Sequence, residues 1–377
     1  MRMSSSRLLL LGLGLALVVP SAAPAQPVPD DGRIRSVLTL DNRPVSVAWE
    51  PGLAADAHRA LINGSGPEDG GVHVATIESM PLLRIGTLDG AAPEGQEAAR
   101  AVRYDLWLMR DADGFLLDAR WVGADGAMAT SSGTIMLSTQ AADASYATFA
   151  ANIAPTSDET GRLEMRWGDR LWTADFFFAD PPEGGASAAQ VAAGAAGDGA
   201  REFEDSAVAD AVSRGIRLNE RHESAIVLPG GDRIATLAWQ DIGIDHPDYA
   251  AIADVEDGGV IRLTEAAVMR LRSEVSLRFG TAAVPTGNLS EGFAGSYGLW
   301  LQRRGDSWRL IFNNEPDSWG TQHNSEYNAS QTTVSYARTG RTDRPLGTRL
   351  VPTSADGGRL VIQWGPHEWA ADFDVIR

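Results

Sequence analysis

Four blocks of sequence recur in the same order in the two halves of this chain, and any fold it adopts must serve both copies. Val47-Ala48-Trp49 answers Leu237-Ala238-Trp239, and Arg84-Ile85-Gly86-Thr87 answers Arg278-Phe279-Gly280-Thr281. The run Tyr104 to Arg110, YDLWLMR, answers YGLWLQR from Tyr297 to Arg303. The longest match pairs GRLEMRWGDRLWTADF, Gly161 to Phe176, with GRLVIQWGPHEWAADF, Gly358 to Phe373. The offsets drift slowly, as loop insertions produce. Two diverged copies of one domain are therefore expected, at 27–182 and 201–377. Between them, residues 183–200 form an Ala/Gly-rich stretch with the composition of a flexible linker. Partial helical spacing follows it from Arg201 to Ser213.

The repeated unit is predicted to be mainly β. Leu163, Met165 and Trp167 alternate with Glu164 and Arg166, and Leu360, Ile362 and Trp364 keep the same parity. Period two marks a half-buried strand. After Gly168-Asp169-Arg170, or Gly365-Pro366-His367, alternation resumes at Trp172 and Trp369, so each copy ends in a hairpin. Asp113-Gly114, Asp125-Gly126, Asp257-Gly258 and Asp356-Gly357 mark further turns. The expected architecture is two tandem antiparallel β-sandwich or barrel-like domains with minor helices, one of them near Ala54 to Leu61. Tryptophans recur as pairs at 49/239, 107/300, 167/364 and 172/369. Three pairs read as core. Trp107 and Trp300 have the opposite parity to their Tyr-Leu-Leu face, which leaves a covering loop, a domain contact or a ligand platform as alternatives.

Residues 1–25 read as a secretory signal peptide. Arg2 and Arg7 precede an apolar run from Leu8 to Val19, and Ala23-Pro24-Ala25 is a small-x-small cleavage pattern. That run is too short for a helical span, which needs about twenty residues. A periplasmic or extracellular protein is expected. The chain has no cysteine, which excludes disulfides and thiolate chemistry. The net charge of −18, with no extended basic stretch noted, argues against nucleic acid and anionic lipid.

The second copy holds a more specific string: Gly295-Ser296-Tyr297-Gly298-Leu299-Trp300, then Trp308-Arg309-Leu310-Ile311-Phe312-Asn313, then Trp319-Gly320-Thr321-Gln322. It resembles the bacterial domain-of-unknown-function family 2911, with its G-x-Y-x-L, W-x-x-I-F-N and W-G-T segments and a closing tryptophan-glycine strand. Arg278 and Gly280 stand where that family carries W-R-x-G-A-N, but Leu277 replaces the tryptophan, and Thr281 and Ala282 replace the alanine and asparagine. The first copy lacks I-F-N and W-G-T after Phe115. The resemblance implies an exported β domain and carries no activity with it.

No catalytic set stands out. The six histidines have no metal-binding spacing, and no G-x-S-x-G elbow occurs. Asp111-Ala112-Asp113-Gly114 begins like a calcium loop but lacks the later ligands, so a hairpin turn explains it. Neither cofactor nor metal is expected. The polar, aromatic loop from Asn313 to Asn328 is the place to look for a ligand. The candidate binding residues are Arg278, Trp300, Trp319, Gln322 and His323. The leading reading is a non-enzymatic binding or interaction module for a small molecule, glycan or protein. Alternatives are a hydrolase using His323 with Glu326, or Arg278 near Trp319, and a purely structural envelope protein. Oligomeric state is not legible.

Overall fold

The computed structural model describes residues 32–377 apart from 41–42, 54, 64–70, 80–82, 90–101, 123–127, 158–159, 180–220, 240–241, 262–268, 289–292 and 317–322. The segments expected to form a signal peptide and a linker, and the helical spacing after Arg201, all lie outside the described residues.

The chain is mainly β, and every strand pairing described here is antiparallel. The first half contains β1 (Ile34–Leu40), β2 (Arg43–Trp49), α1 (Ala55–Ile62), β3 (Val72–Ser79), β4 (Leu83–Ile85), β5 (Leu88–Asp89), β6 (Val102–Arg110), β7 (Phe115–Val122), β8 (Met128–Pro155) and β9 (Thr160–Phe178). The second half begins with β10 (Arg221–Val227), β11 (Arg233–Trp239), α2 (Pro247–Ala250) and a 3-10 turn (Ala251–Asp254). It continues with β12 (Val260–Ile261), β13 (Arg270–Ser273), β14 (Ser276–Phe279), β15 (Ala282–Val284), β16 (Ser296–Arg304) and β17 (Ser307–Asn313). It ends with β18 (Asn328–Arg338), β19 (Gly347–Ser354), β20 (Gly357–Trp364) and β21 (His367–Ile376).

The same pairing pattern runs through both halves. The order β1-β2-β3-β6-β7-β8 is matched by β10-β11-β13-β16-β17-β18. A flanking sheet holds β5, β4, β9 and β8, matched by β15, β14, β21, β20 and β19. β9 doubles back at Gly168, where φ is 61°, as the chain does at Gly365, where φ is 54°. The doubling puts Arg162 against Asp175, with Nη2 donating to Oδ2 at 2.9 Å. Arg359 and Asp372 make the corresponding pair on β20 and β21, Nε to Oδ1 at 2.6 Å. A side chain at either glycine would strike what packs over the turn: His58 of α1 in the first half, Tyr249 of α2 in the second. His58 lies on Trp167 at 4.9 Å and Tyr249 on Trp364 at 5.5 Å, so a helical segment caps each terminal hairpin.

Each half has its own apolar core. Trp49, Phe149, Trp167, Trp172 and Phe176 dominate the first, and Phe279, Trp308, Phe312, Trp364, Trp369 and Phe373 the second. Aromatic side chains of this size supply much of the burial free energy of a disulfide-free chain. One expected match is displaced. Val47 and Trp49 face the first core, whereas Ile234 and Ala238 face the second, so the parity of the matching Ala-Trp strands differs by one residue. A one-residue slip exchanges the two faces of a strand. The side chain of Trp239 is not among those described.

The halves meet through β1 and β10. Val37 pairs with Ala225, flanked by Ser36 with Ile226 and Leu38 with Ser224. Ser36 and Ser224 do the same work on either side. The Ser36 hydroxyl accepts from the Ile153 amide at 3.2 Å, and the Ser224 hydroxyl accepts from the Leu350 amide at 3.2 Å. Val37, Ala225 and Ala235 form a small separate apolar cluster at this join.

Candidate functional site

Of the five side chains singled out from sequence, two meet. Trp300 points away from the main core, as its parity requires, and packs with Ile311 and Val260 at 3% exposure. His323 covers it, ring centres 5.3 Å apart, and its Nε2 meets Asn328 Oδ1 at 2.8 Å. Arg278 is engaged elsewhere: it lies on β14 with an exposed side chain and reaches Asp374 on β21 at 3.3 Å. Trp319 and Gln322 lie outside the described residues. The described part of the loop is tied to itself. Asn313 Nδ2 donates to Asn324 O at 2.9 Å and to Asn328 Oδ1 at 3.0 Å, while Asn324 Oδ1 accepts from the Glu326 amide at 3.0 Å.

A different arrangement gathers far more chemistry. Where β8 and β9 of the first half meet β19, β20 and β21 of the second lies a cleft of about 290 Å³. Its wall carries five arginines, Arg162, Arg166, Arg341, Arg344 and Arg349, and two glutamates, Glu164 and Glu368. A side chain also bridges the halves here, with Gln363 Nε2 donating to Pro155 O at 3.4 Å.

Most of these charges are already spoken for. Arg166 Nη2 donates to Glu164 Oε2 at 2.7 Å, and its Nη1 donates to Asn152 Oδ1. Arg344 donates to Glu368 Oε2 at 3.0 Å, to Gly365 O at 3.1 Å and to Thr339 Oγ1 at 2.9 Å. Arg349 donates to Gln363 Oε1 at 2.8 Å and to the same Glu368 oxygen at 3.1 Å. Burial works to raise the Glu164 pKa, but the charges of Arg166 and Arg349 and the bonds from Arg166 and Asn152 hold it at about 2. Burial likewise opposes ionisation of Glu368, and Arg349 and Arg344 overcome it. Both carboxylates are therefore fixed acceptors at neutral pH.

Arg341 is the exception. Its backbone amide reaches Thr339 Oγ1 at 3.4 Å, but its guanidinium forms no hydrogen bond or ion pair among the described residues. The side chain is half-buried, and its pKa is lowered by burial and by the like charge of Arg162, with Asp343, Asp175 and Glu164 offsetting part of this. A guanidinium presents a planar fork of donors that matches a carboxylate or oxyanion edge to edge. The arrangement can thus hold an anion between Arg341 and its neighbours.

The cleft is not a common property of the two halves. Arg162 has its counterpart in Arg359, but Glu164 and Arg166 correspond to Val361 and Gln363. No reading of the sequence pointed to it. A signal was present: Arg338, Arg341, Arg344 and Arg349 fall in a twelve-residue stretch with only Asp343 opposing them. The overall charge of −18 hid this local reversal of sign.

Residues 287–373 match the model of a family described as protein of unknown function (DUF2911). The match covers β16 to most of β21, and so includes the second-half wall of the cleft and the Gly295 to Asn313 motifs. It supports the family resemblance of the C-terminal region and does not extend to the first half. No curated protein and no solved structure matches the chain.

Proposed function

We propose that this chain is an exported, two-domain binding protein that holds a small anion in the cleft between its halves. The unpartnered, half-buried guanidinium of Arg341, beside Arg162 in an arginine-rich wall, carries the reading. A cation in that position costs free energy in the empty cleft, and a ligand with two or three acidic oxygens removes the cost. The cleft also reverses the sign of an acidic chain, which concentrates an anion there rather than over the surface. A volume of about 290 Å³ suits a small polycarboxylate, phosphate or sulfate ester.

A hydrolase working in this cleft, rather than at His323 and Glu326 or at Arg278 and Trp319, would need a group that exchanges a proton near neutral pH. Glu164 and Glu368 are both held ionised, which suits them to position arginines rather than to donate protons. A purely structural reading treats the same arginines as ion-pair networks that brace each half beside the join.

Calorimetric titration with citrate, phosphate and sulfate, against glycerol as a neutral control, separates these readings. Binding of at least one anion, weakened about tenfold or more by Arg341→Gln, is the expected result. No anion binding at millimolar concentration, or binding indifferent to Arg341→Gln, would leave the structural network as the better account.

A further inference from the structure

On the other side of the β18–β21 ribbon lies a second recess, of about 380 Å³. Its wall includes Tyr249, Trp308, Tyr336 and His367, with Arg303 and Arg338 as its charged members and no carboxylate. That composition is unusual in a chain of net charge −18. His367 and Glu368 are consecutive on β21, so one faces this recess while the other faces the arginine cleft.

The first half shows what closes the matching place. There Arg110 and Arg170 both lie over Phe115, at 5.9 and 5.6 Å, and Phe115 packs on Trp172 at 5.3 Å. In the second half Arg303 lies over Trp308 at 5.1 Å, and Trp308 packs on Trp369 at 5.7 Å. His367, however, stands where Arg170 does in the repeat. The imidazole stacks on Trp369 with planes 9° apart, and the recess opens beside it, where the first half has the Arg170 guanidinium.

What lines that space is already held in place. Tyr336 is 37% exposed, its ring stacked on His367 and its hydroxyl bonded to His367 Nδ1 at 2.8 Å. A platform fixed in this way loses little rotamer entropy when a ring settles on it. Trp308 forms the floor, 2% exposed, and its buried indole N–H has no partner among the described residues. The guanidinium of Arg338 makes no hydrogen bond or ion pair among the described residues.

We propose that this recess is a second binding site, for a six-membered ring bearing an acidic group. The ring stacks on Tyr336, and the acid meets Arg338, while Arg303 stays engaged with Asp306 and the Gly305 carbonyl at the edge of the recess. Sugar acids and aromatic acids both present this chemistry. The site does not depend on an anion occupying the arginine cleft.

The test is calorimetric titration of the full chain with glucuronate and with 4-hydroxybenzoate, using glucose and acetate as controls lacking the acid or the ring. At least one ring acid should bind, at least about tenfold more tightly than either control. Preference between the two ring acids identifies the source. Arg338→Gln and Tyr336→Ala should each weaken that binding about tenfold. Because Arg338 is exposed, its variant decides the matter even if Tyr336→Ala fails to fold. The proposal is overturned if acetate matches the ring acids, if Arg338→Gln changes the affinity by less than twofold, or if neither ring acid binds at millimolar concentration.

Discussion

Glu164→Gln is expected to move stability and anion binding in opposite directions. In the native protein the carboxylate is buried against Arg166, and its pKa stands at about 2 rather than the usual 4.5. The folded value lies below the unfolded one, so the charge stabilises the fold above pH 4.5, and that contribution is lost as the pH falls toward 2. A difference of this size is worth about 3 kcal/mol at neutral pH. Glutamine keeps the shape and removes the charge, leaving Arg166 buried without its counter-ion, a change that commonly costs about 3–5 kcal/mol. The same change removes one of two negative charges from the cleft wall. A unit charge about 8 Å away, at an effective dielectric near 20, is worth roughly 2 kcal/mol, and screening reduces this to about 1, or fivefold in affinity. Urea denaturation of the parent and variant at pH 7, 5 and 3.5, with citrate titrations at pH 7, measures both quantities. A stability penalty under about 0.5 kcal/mol, a penalty that does not shrink below pH 4.5, or a weakened citrate affinity would each refute the reasoning.

Three further outcomes are expected. His222 is buried and its pKa is pushed down to about 4, so the unfolded chain takes up the proton first as the medium is acidified. The parent should lose up to about 3 kcal/mol between pH 6.5 and 4, and His222→Leu should flatten that part of a melting-temperature profile. Val37→Lys, placing an ammonium in the apolar cluster at the join, should cost about 3 kcal/mol or more by urea denaturation. Trp369→Ala should cost about 3–5 kcal/mol by the same measurement, whereas Asp372→Asn, at an exposed ion pair, should cost less than about 1.

The mainly β fold was legible because its signal is local. Leu163, Met165, Trp167 and their counterparts carry the period of a strand, and Gly168 and Gly365 mark the reversal, whatever surrounds them. Tryptophans 167, 172, 364 and 369 are buried as their alternation implies. The outward parity of Trp300 was also visible, but what covers it depends on a loop that returns from Asn313 to Asn328. The slip between Val47 and Leu237 was not visible, because identical Ala-Trp strings conceal the length of the preceding turn. The run of arginines from Arg338 to Arg349 was visible, but the cleft it helps to form was not. Arg162, Glu164 and Arg166 come from one half and Arg341 to Glu368 from the other, so their meeting depends on how β1 pairs with β10. Arg278 illustrates the reverse case. A residue placed by motif resemblance turns out to bridge to Asp374 at the surface, at the register position where Arg84 faces Phe177 in the first half.

The pairing of β1 with β10 has a topological consequence. Corresponding strands from the two copies lie side by side about the Val37–Ala225 pair, which is the arrangement two separate chains adopt around a twofold axis. Nothing in that edge-to-edge ladder depends on both strands belonging to the same polypeptide. The chain between Phe178 and Arg221 keeps the partners together by raising their local concentration. Deleting most of that connection should let the first half of one molecule pair with the second half of another. Each such exchange would rebuild the arginine cleft from two chains, so the length of the connection would select between a monomer and an interlocked dimer.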